Sequence, residues 1–120
     1  MTTITTGVGS PGTISKASGG RTYAFNNIST TPQQVLGGNP ARQSITVHNP
    51  GANDILFAPA YVQNNGSDVA LTPSPSALGG CFRVFGNGGT IVLTGEVQKP
   101  YQAFALTGST NPLTVIDSNV

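Results

Sequence analysis

Glycine and proline interrupt this chain about every five residues, sixteen Gly and nine Pro in 120, and little of it stays uninterrupted long enough to build a helical core. Between the interruptions lie short β-branched or aromatic runs, such as Ser44-Ile45-Thr46-Val47-His48 and Thr90-Ile91-Val92-Leu93-Thr94. Each run has strand length. Each gap carries residues that set turn geometry, because Pro fixes φ and Gly permits φ > 0. No window of about eleven residues places apolar side chains at helical spacing. The best helical candidate, residues 74–78, is short and is followed by Gly79-Gly80. The chain therefore reads as all-β, with strands near residues 22–26, 33–37, 42–48, 54–59, 68–72, 81–86, 90–95, 101–107 and 113–117. A turn signal every ten residues or so marks an antiparallel sandwich or barrel. Two hairpins are expected, one turning at Asn49-Pro50-Gly51-Ala52-Asn53 and one at Gly86-Asn87-Gly88-Gly89. Asn64-Asn65-Gly66 reads as a further tight turn.

The length suits one domain, residues 21–120, preceded by a compositionally distinct segment over residues 1–20. That segment is Thr, Gly and Ser with isolated Ile4, Val8 and Ile14. It reads either as a disordered tail or as an extended N-terminal arm that orders on a partner, with those three aliphatics as anchors. Only 8% of the residues are charged, about a third of the roughly 25% usual in soluble domains. The surface must be covered largely by Thr, Ser, Asn, Gln and Gly. Such a surface suits permanent packing against neighbours, and oligomerisation is expected. Net charge is +1, with five scattered Lys and Arg. Phosphate binding needs several cations on one face, so nucleic acid is not an expected partner.

Cys81 is the single cysteine. It excludes an intramolecular disulfide and fits a protein made in a reducing cytoplasm. The first seven residues lack the basic and apolar regions of a secretory signal, and no apolar run approaches the roughly 20 residues that span a bilayer. A soluble, unprocessed chain with no membrane partner is expected.

Reactive chemistry is sparse. One His, one Cys and four carboxylates offer little from which to build a metal site or a nucleophile with its base and orienter. His48, before Asn49-Pro50, reads as a half-exposed hydrogen-bonding residue. Asp54 and Asp68 could meet across a loop as a carboxylate pair, but with no Trp and three Tyr the chain lacks the stacking platforms of a sugar cleft. Gly86-Asn87-Gly88-Gly89 is followed by no helix pattern and no Lys-Ser or Lys-Thr, so it reads as a turn rather than a phosphate loop. No enzyme activity, metal or cofactor is expected. Arg83 stands out as the one charge in the most aromatic strand. It shares a face with Cys81 and Phe85, and that face is either the solvent side, with Arg83 lying over Phe85, or a subunit contact.

Three strings carry a resemblance: residues 42–51 (RQSITVHNPG), residues 78–85 (LGGCFRVF) and residues 108–120 (GSTNPLTVIDSNV). They resemble small structural proteins of tailed bacteriophages, over about residues 33–120. In size and character the chain is most similar to capsid decoration, or cement, proteins of podovirus-type phages, some of which are jelly rolls and form dimers or trimers. The resemblance implies a jelly-roll-like sandwich with an extended arm. It implies a homo-dimer or homo-trimer on the virion's capsid exterior that binds the phage major capsid protein and clamps adjacent capsid subunits. It supplies no residue-level motif for that contact, so Ile4, Val8, Ile14, Arg83 and Phe85 stand as contact candidates from the residues alone. A head-fibre or tail-associated receptor- or carbohydrate-binding module is the alternative reading.

Overall fold

The computed structural model describes residues 20–119. They form ten strands and no helix: β1 (Gly20–Ile28), β2 (Gln33–Leu36), β3 (Ser44–Asn49), β4 (Ile55–Pro59), β5 (Tyr61–Asn64), β6 (Ser67–Ala70), β7 (Phe82–Val84), β8 (Gly89–Leu93), β9 (Tyr101–Ala105) and β10 (Asn111–Ser118). Eight of them make two four-stranded antiparallel sheets, in the orders β1-β10-β3-β8 and β2-β9-β4-β7, and β5 and β6 pair as a separate ribbon. The all-β sandwich expected from the sequence is the fold. Its pairing is nested: β1 with β10, β2 with β9, β3 with β8 and β4 with β7. One long antiparallel hairpin has been rolled over on itself, which is the strand order of a jelly roll.

Alternation explains why these residues form these strands. In β3 and β10, Ile45, Val47, Leu113 and Val115 are buried while Thr46, His48, Thr114 and Ile116 point the other way, the period-two pattern of a sheet with one covered face. Opposite them, Ile55 and Phe57 of β4 and Tyr101, Ala103 and Ala105 of β9 fill the space between the sheets. Phe57 and Tyr101 stack with centroids 4.9 Å apart. The edge strands finish the core with half-buried Tyr23, Phe25, Ile91 and Leu93.

Both expected hairpins are corrected by the topology. β3 and β4 lie in different sheets, and so do β7 and β8. The turns at residues 50–54 and 85–88 are therefore arches that carry the chain across the sandwich. Their local sequence is turn chemistry either way; what separates a hairpin from an arch is which distant strand takes the ladder hydrogen bonds. β3 is paired by β10 and β8, leaving no side for β4. The Gly86-Asn87-Gly88-Gly89 run follows from this crossing. A Cβ on Gly86 would stand 2.4 Å from the Ala52 carbonyl oxygen, so the two arches touch backbone to backbone and only glycine fits.

One strand was missed. β5 precedes the expected strand at 68–72, which runs instead from Ser67 to Ala70, and the two make a hairpin. Asn65 (φ 54°) and Gly66 (φ 82°) are its central residues, the left-handed pair that a two-residue type I′ turn requires. This hairpin is an insertion between β4 and β7. All of its strand residues except Val62 are exposed.

Polar side chains cross-link the loops at each end of the sandwich. At one end the Asn49 amide donates to the carbonyls of Asn53 and Val84, at 2.8 and 3.0 Å. Asn53 donates to Asn111, which in turn donates to the carbonyls of Ile28 and Thr107, each at 2.9 Å. At the other end the guanidinium of Arg42, only 2% exposed, is enclosed. It donates to Asp117 (3.2 Å) and to the carbonyls of Val97 (2.8 Å), Lys99 (3.2 Å) and Gly37 (2.7 Å). Among the described residues no buried side-chain nitrogen or oxygen lacks a partner.

Candidate interaction surface

The two sheets differ on their outer faces. In β2-β9-β4-β7, the outward residues Leu56, Ala58 and Phe104 are buried although they lie outside the core between the sheets. Gln102, on the same face, donates to the carbonyl of Leu71 at 2.9 Å and to that of Pro59 at 3.1 Å. This draws the segment after β6 onto the face, where Pro73 is also buried.

The outer face of β1-β10-β3-β8 is open. Registers place Thr22, Ile116, Thr46 and Val92 side by side in one row across all four strands, and Ala24, Thr114, His48 and Thr90 in the next. Neither row carries Lys, Arg, Asp or Glu. His48 is held in place by a 2.8 Å hydrogen bond between its Nδ1 and the Thr90 hydroxyl. Val92 is 60% exposed and Ile116 is 38% exposed. A threonine-rich face without Lys, Arg, Asp or Glu and with aliphatic side chains at its middle has a low desolvation cost on contact. Sequence reasoning missed it. The available signal was that Ser44, Thr46 and His48, the positions alternating with the core side chains, carry no Lys or Glu.

Arg83 and Phe85 lie elsewhere, at the β7 edge of the other sheet. Arg83 donates twice to Asp54 Oδ2, at 2.9 and 2.7 Å, and its guanidinium stands 5.5 Å from the centroid of the Phe85 ring. The Gly86 amide donates to the other Asp54 oxygen at 2.8 Å. That amide first, and Arg83 second, hold the Asp54 carboxyl below its ordinary range. Phe85 is 62% exposed and neighbouring Phe82 is exposed as well. The structure thus brings Arg83 and exposed Phe85 together, whereas Phe82 lies on the other side of β7, opposite Phe57. Ile4, Val8 and Ile14 fall outside the described residues.

The remaining reactive groups are dispersed. Asp54 sits in an arch at one end, whereas Asp68 is in the β5–β6 hairpin, hydrogen-bonded to Gln63. Cys81 is half-buried, and burial raises its thiol pKa, keeping it protonated. Among the described residues no three His, Cys, Asp or Glu side chains group as metal ligands, and no helix is long and apolar enough to cross a membrane. No protein-family model, curated protein or solved structure matches this chain.

Proposed function

We propose that this protein is a structural virion component, a decoration protein that lies on the outer surface of a tailed-phage head and holds adjacent major capsid subunits together. The observation that carries the reading is the asymmetry of the sandwich: one outer face covered by the chain itself, the other open and without Lys, Arg, Asp or Glu. The resemblance of residues 42–51, 78–85 and 108–120 to phage structural proteins supplies the partner. Jelly rolls are a recurrent scaffold of viral capsid and lectin domains, which makes the fold compatible with the reading without selecting it.

In this reading the Thr22-Ile116-Thr46-Val92 row rests on the capsid surface across a seam between subunits. Residues 1–20 reach a neighbouring subunit through Ile4, Val8 and Ile14, and the Arg83-Phe85 patch faces a lateral neighbour. The mechanism is linkage. A ligand that binds only the assembled lattice stabilises it by RT ln(1 + [L]/Kd), about 2.7 kcal/mol per site at a hundred times Kd. Many copies acting on one lattice add avidity.

Electron cryomicroscopy of purified virions with icosahedral symmetry imposed tests the proposal. Hundreds of copies in lattice positions, open face inward, are the expected result. A few copies at one vertex or on the tail would reject it in favour of a receptor- or carbohydrate-binding module.

A further inference from the structure

The two sheets present four edge strands, and three of them carry features that discourage another strand from pairing. β2 is four residues long, with a register break between Gln34 and Leu36. β7 has three residues and carries the Arg83–Asp54 ion pair. β1 has Arg21 at its start, 5.8 Å from the Tyr23 ring, and a register break between Phe25 and Ile28. Shortness, bulges and charge are the usual guards of a sheet edge. β8, Gly89-Thr90-Ile91-Val92-Leu93, has no charge, no proline and an unbroken register with β3 from Asn49↔Gly89 to Ile45↔Leu93. Its inward side chains Ile91 and Leu93 are only half-buried, and outward Val92 is 60% exposed. At its start the Gly89 amide already donates to the Phe85 carbonyl at 3.1 Å, so the open edge begins at Thr90; beyond its end a Cβ on Gly95 would meet nothing within 4 Å.

We infer that β8 is the edge through which two copies of this chain pair, antiparallel and about a two-fold axis at Ile91, joining two four-stranded sheets into one continuous sheet. A second copy is the occupant the chemistry favours. A two-fold perpendicular to the sheet preserves the faces, so it must bring a residue opposite itself. Centring it on Ile91 places each of the five residues opposite one of the other copy, with the Gly89 amide left out of the ladder because Phe85 holds it. Ile91 then meets Ile91 of the other copy on the core side, Thr90 meets Val92 on the outer side, and Gly89 meets Leu93. No like charges are opposed, and a net charge of +1 per chain adds little repulsion. The outer faces of the two sheets become coplanar, doubling the uncharged surface. A five-residue ladder buries less than the roughly 1,600 Å² of a standard stable interface, so the dimer is weak in dilute solution and is strengthened where copies are concentrated on a lattice. The pairing concerns the chain itself and holds whether or not the partner surface is a capsid.

The test uses the full chain without virions. Sedimentation equilibrium across about 1 to 500 μM should show a reversible monomer–dimer equilibrium. Val92→Lys should weaken it at least tenfold with unchanged circular dichroism, and Thr90→Lys, at the other exposed position, should do the same if Val92→Lys folds poorly. In a Cys81→Ala background, Thr90→Cys combined with Val92→Cys should oxidise to a disulfide-linked dimer. Directly opposed Cα atoms lie about 4.5–5.5 Å apart, within the range a disulfide spans. Each single variant should link poorly, because its own copy across the axis sits diagonally, about 7–8 Å away. A monomeric wild type at every concentration, or a folded double-cysteine variant that does not link, overturns the inference. So does a Val92→Lys dimer as tight as wild type, which would place the contact elsewhere. Loss of particle binding by Val92→Lys with a strictly monomeric wild type would assign the edge to another protein and equally overturn it.

Discussion

The outer faces of the two sheets are built from the same kind of strand, yet one is closed and the other open. On the closed face Leu56, Ala58 and Phe104 are as buried as the core between the sheets, and the β5–β6 insertion supplies the chain that is drawn over it through Gln102. On the open face, Thr22, Ile116, Thr46 and Val92 form a row with nothing from the described chain over it. The difference teaches how a small sandwich separates stability from interaction. Apolar surface that the chain can cover adds to the fold. Apolar surface left on the other side contributes nothing until a partner arrives, and its lack of charge makes that later contact cheap in desolvation.

Removing the phenyl ring from the closed face should have the largest effect. Phe104→Ala is expected to lower the stability of the isolated protein by about 3–5 kcal/mol, measured by urea denaturation; a loss under about 1 kcal/mol would show that this face is not a second core. Asp117→Ala, at the end where the insertion departs, leaves Arg42 buried without its carboxylate and should cost about 3 kcal/mol or more in the same assay. The other donors of Arg42 already go to Val97, Lys99 and Gly37, and carbonyl dipoles do not replace a full opposite charge. Gly66→Ala places a side chain at φ 82° and should cost about 1–2 kcal/mol. Amide exchange should localise that change to the hairpin and leave the β3 and β10 amides protected.

A smaller effect belongs to acid. Because the Gly86 amide and Arg83 lower the Asp54 pKa in the folded state, the unfolded chain binds this proton more readily. Its contribution is complete above about pH 4 and is lost as the pH falls through the depressed folded value. Asp54→Asn should therefore flatten the stability profile below about pH 4 and leave its shape near neutrality unchanged; an identical acid limb in the variant would contradict this role. The smallest effect on the isolated fold is expected on the open face. Ile116→Thr should change stability by about 0.5 kcal/mol or less and, under the proposed capsid role, reduce occupancy of virions severalfold. The comparison of faces breaks if Ile116→Thr destabilises the protein as strongly as Phe104→Ala.

Much of the fold was legible locally. The alternation in Ser44-Ile45-Thr46-Val47-His48 marked β3 and its buried face, while the missing Lys and Glu at its outward positions was a signal left unread. Ile55-Leu56-Phe57-Ala58 held an unused signal, since a continuous apolar run of strand length indicates burial on both sides. β5 escaped because Tyr61-Val62-Gln63-Asn64 has only two apolar residues and, among the described residues, pairs with β6 alone. The tight turn at Asn64-Asn65-Gly66 was legible, as was the strand after it near 68–72, but the strand before it was not. Arg83 and Phe85 were placed on one face by the pleat alone, whereas the Asp54 that anchors Arg83 lies 29 residues away along the chain. The row from Thr22 to Val92 draws on four strands, and no local pattern assembles it.

By itself the sequence determined the strands: proline and glycine fix where the chain turns, and β-branched alternation fixes which side of each strand is apolar. Those are short-range properties of backbone sterics and side-chain period. Tertiary structure decided which turns are hairpins and which are arches, which sheet face is covered, and which residues share the open surface. Each of these depends on which distant strand takes a set of backbone hydrogen bonds. That choice is made by the packing of the whole sandwich, where Asp117 meets Arg42 across 75 residues of chain, and not by any segment alone.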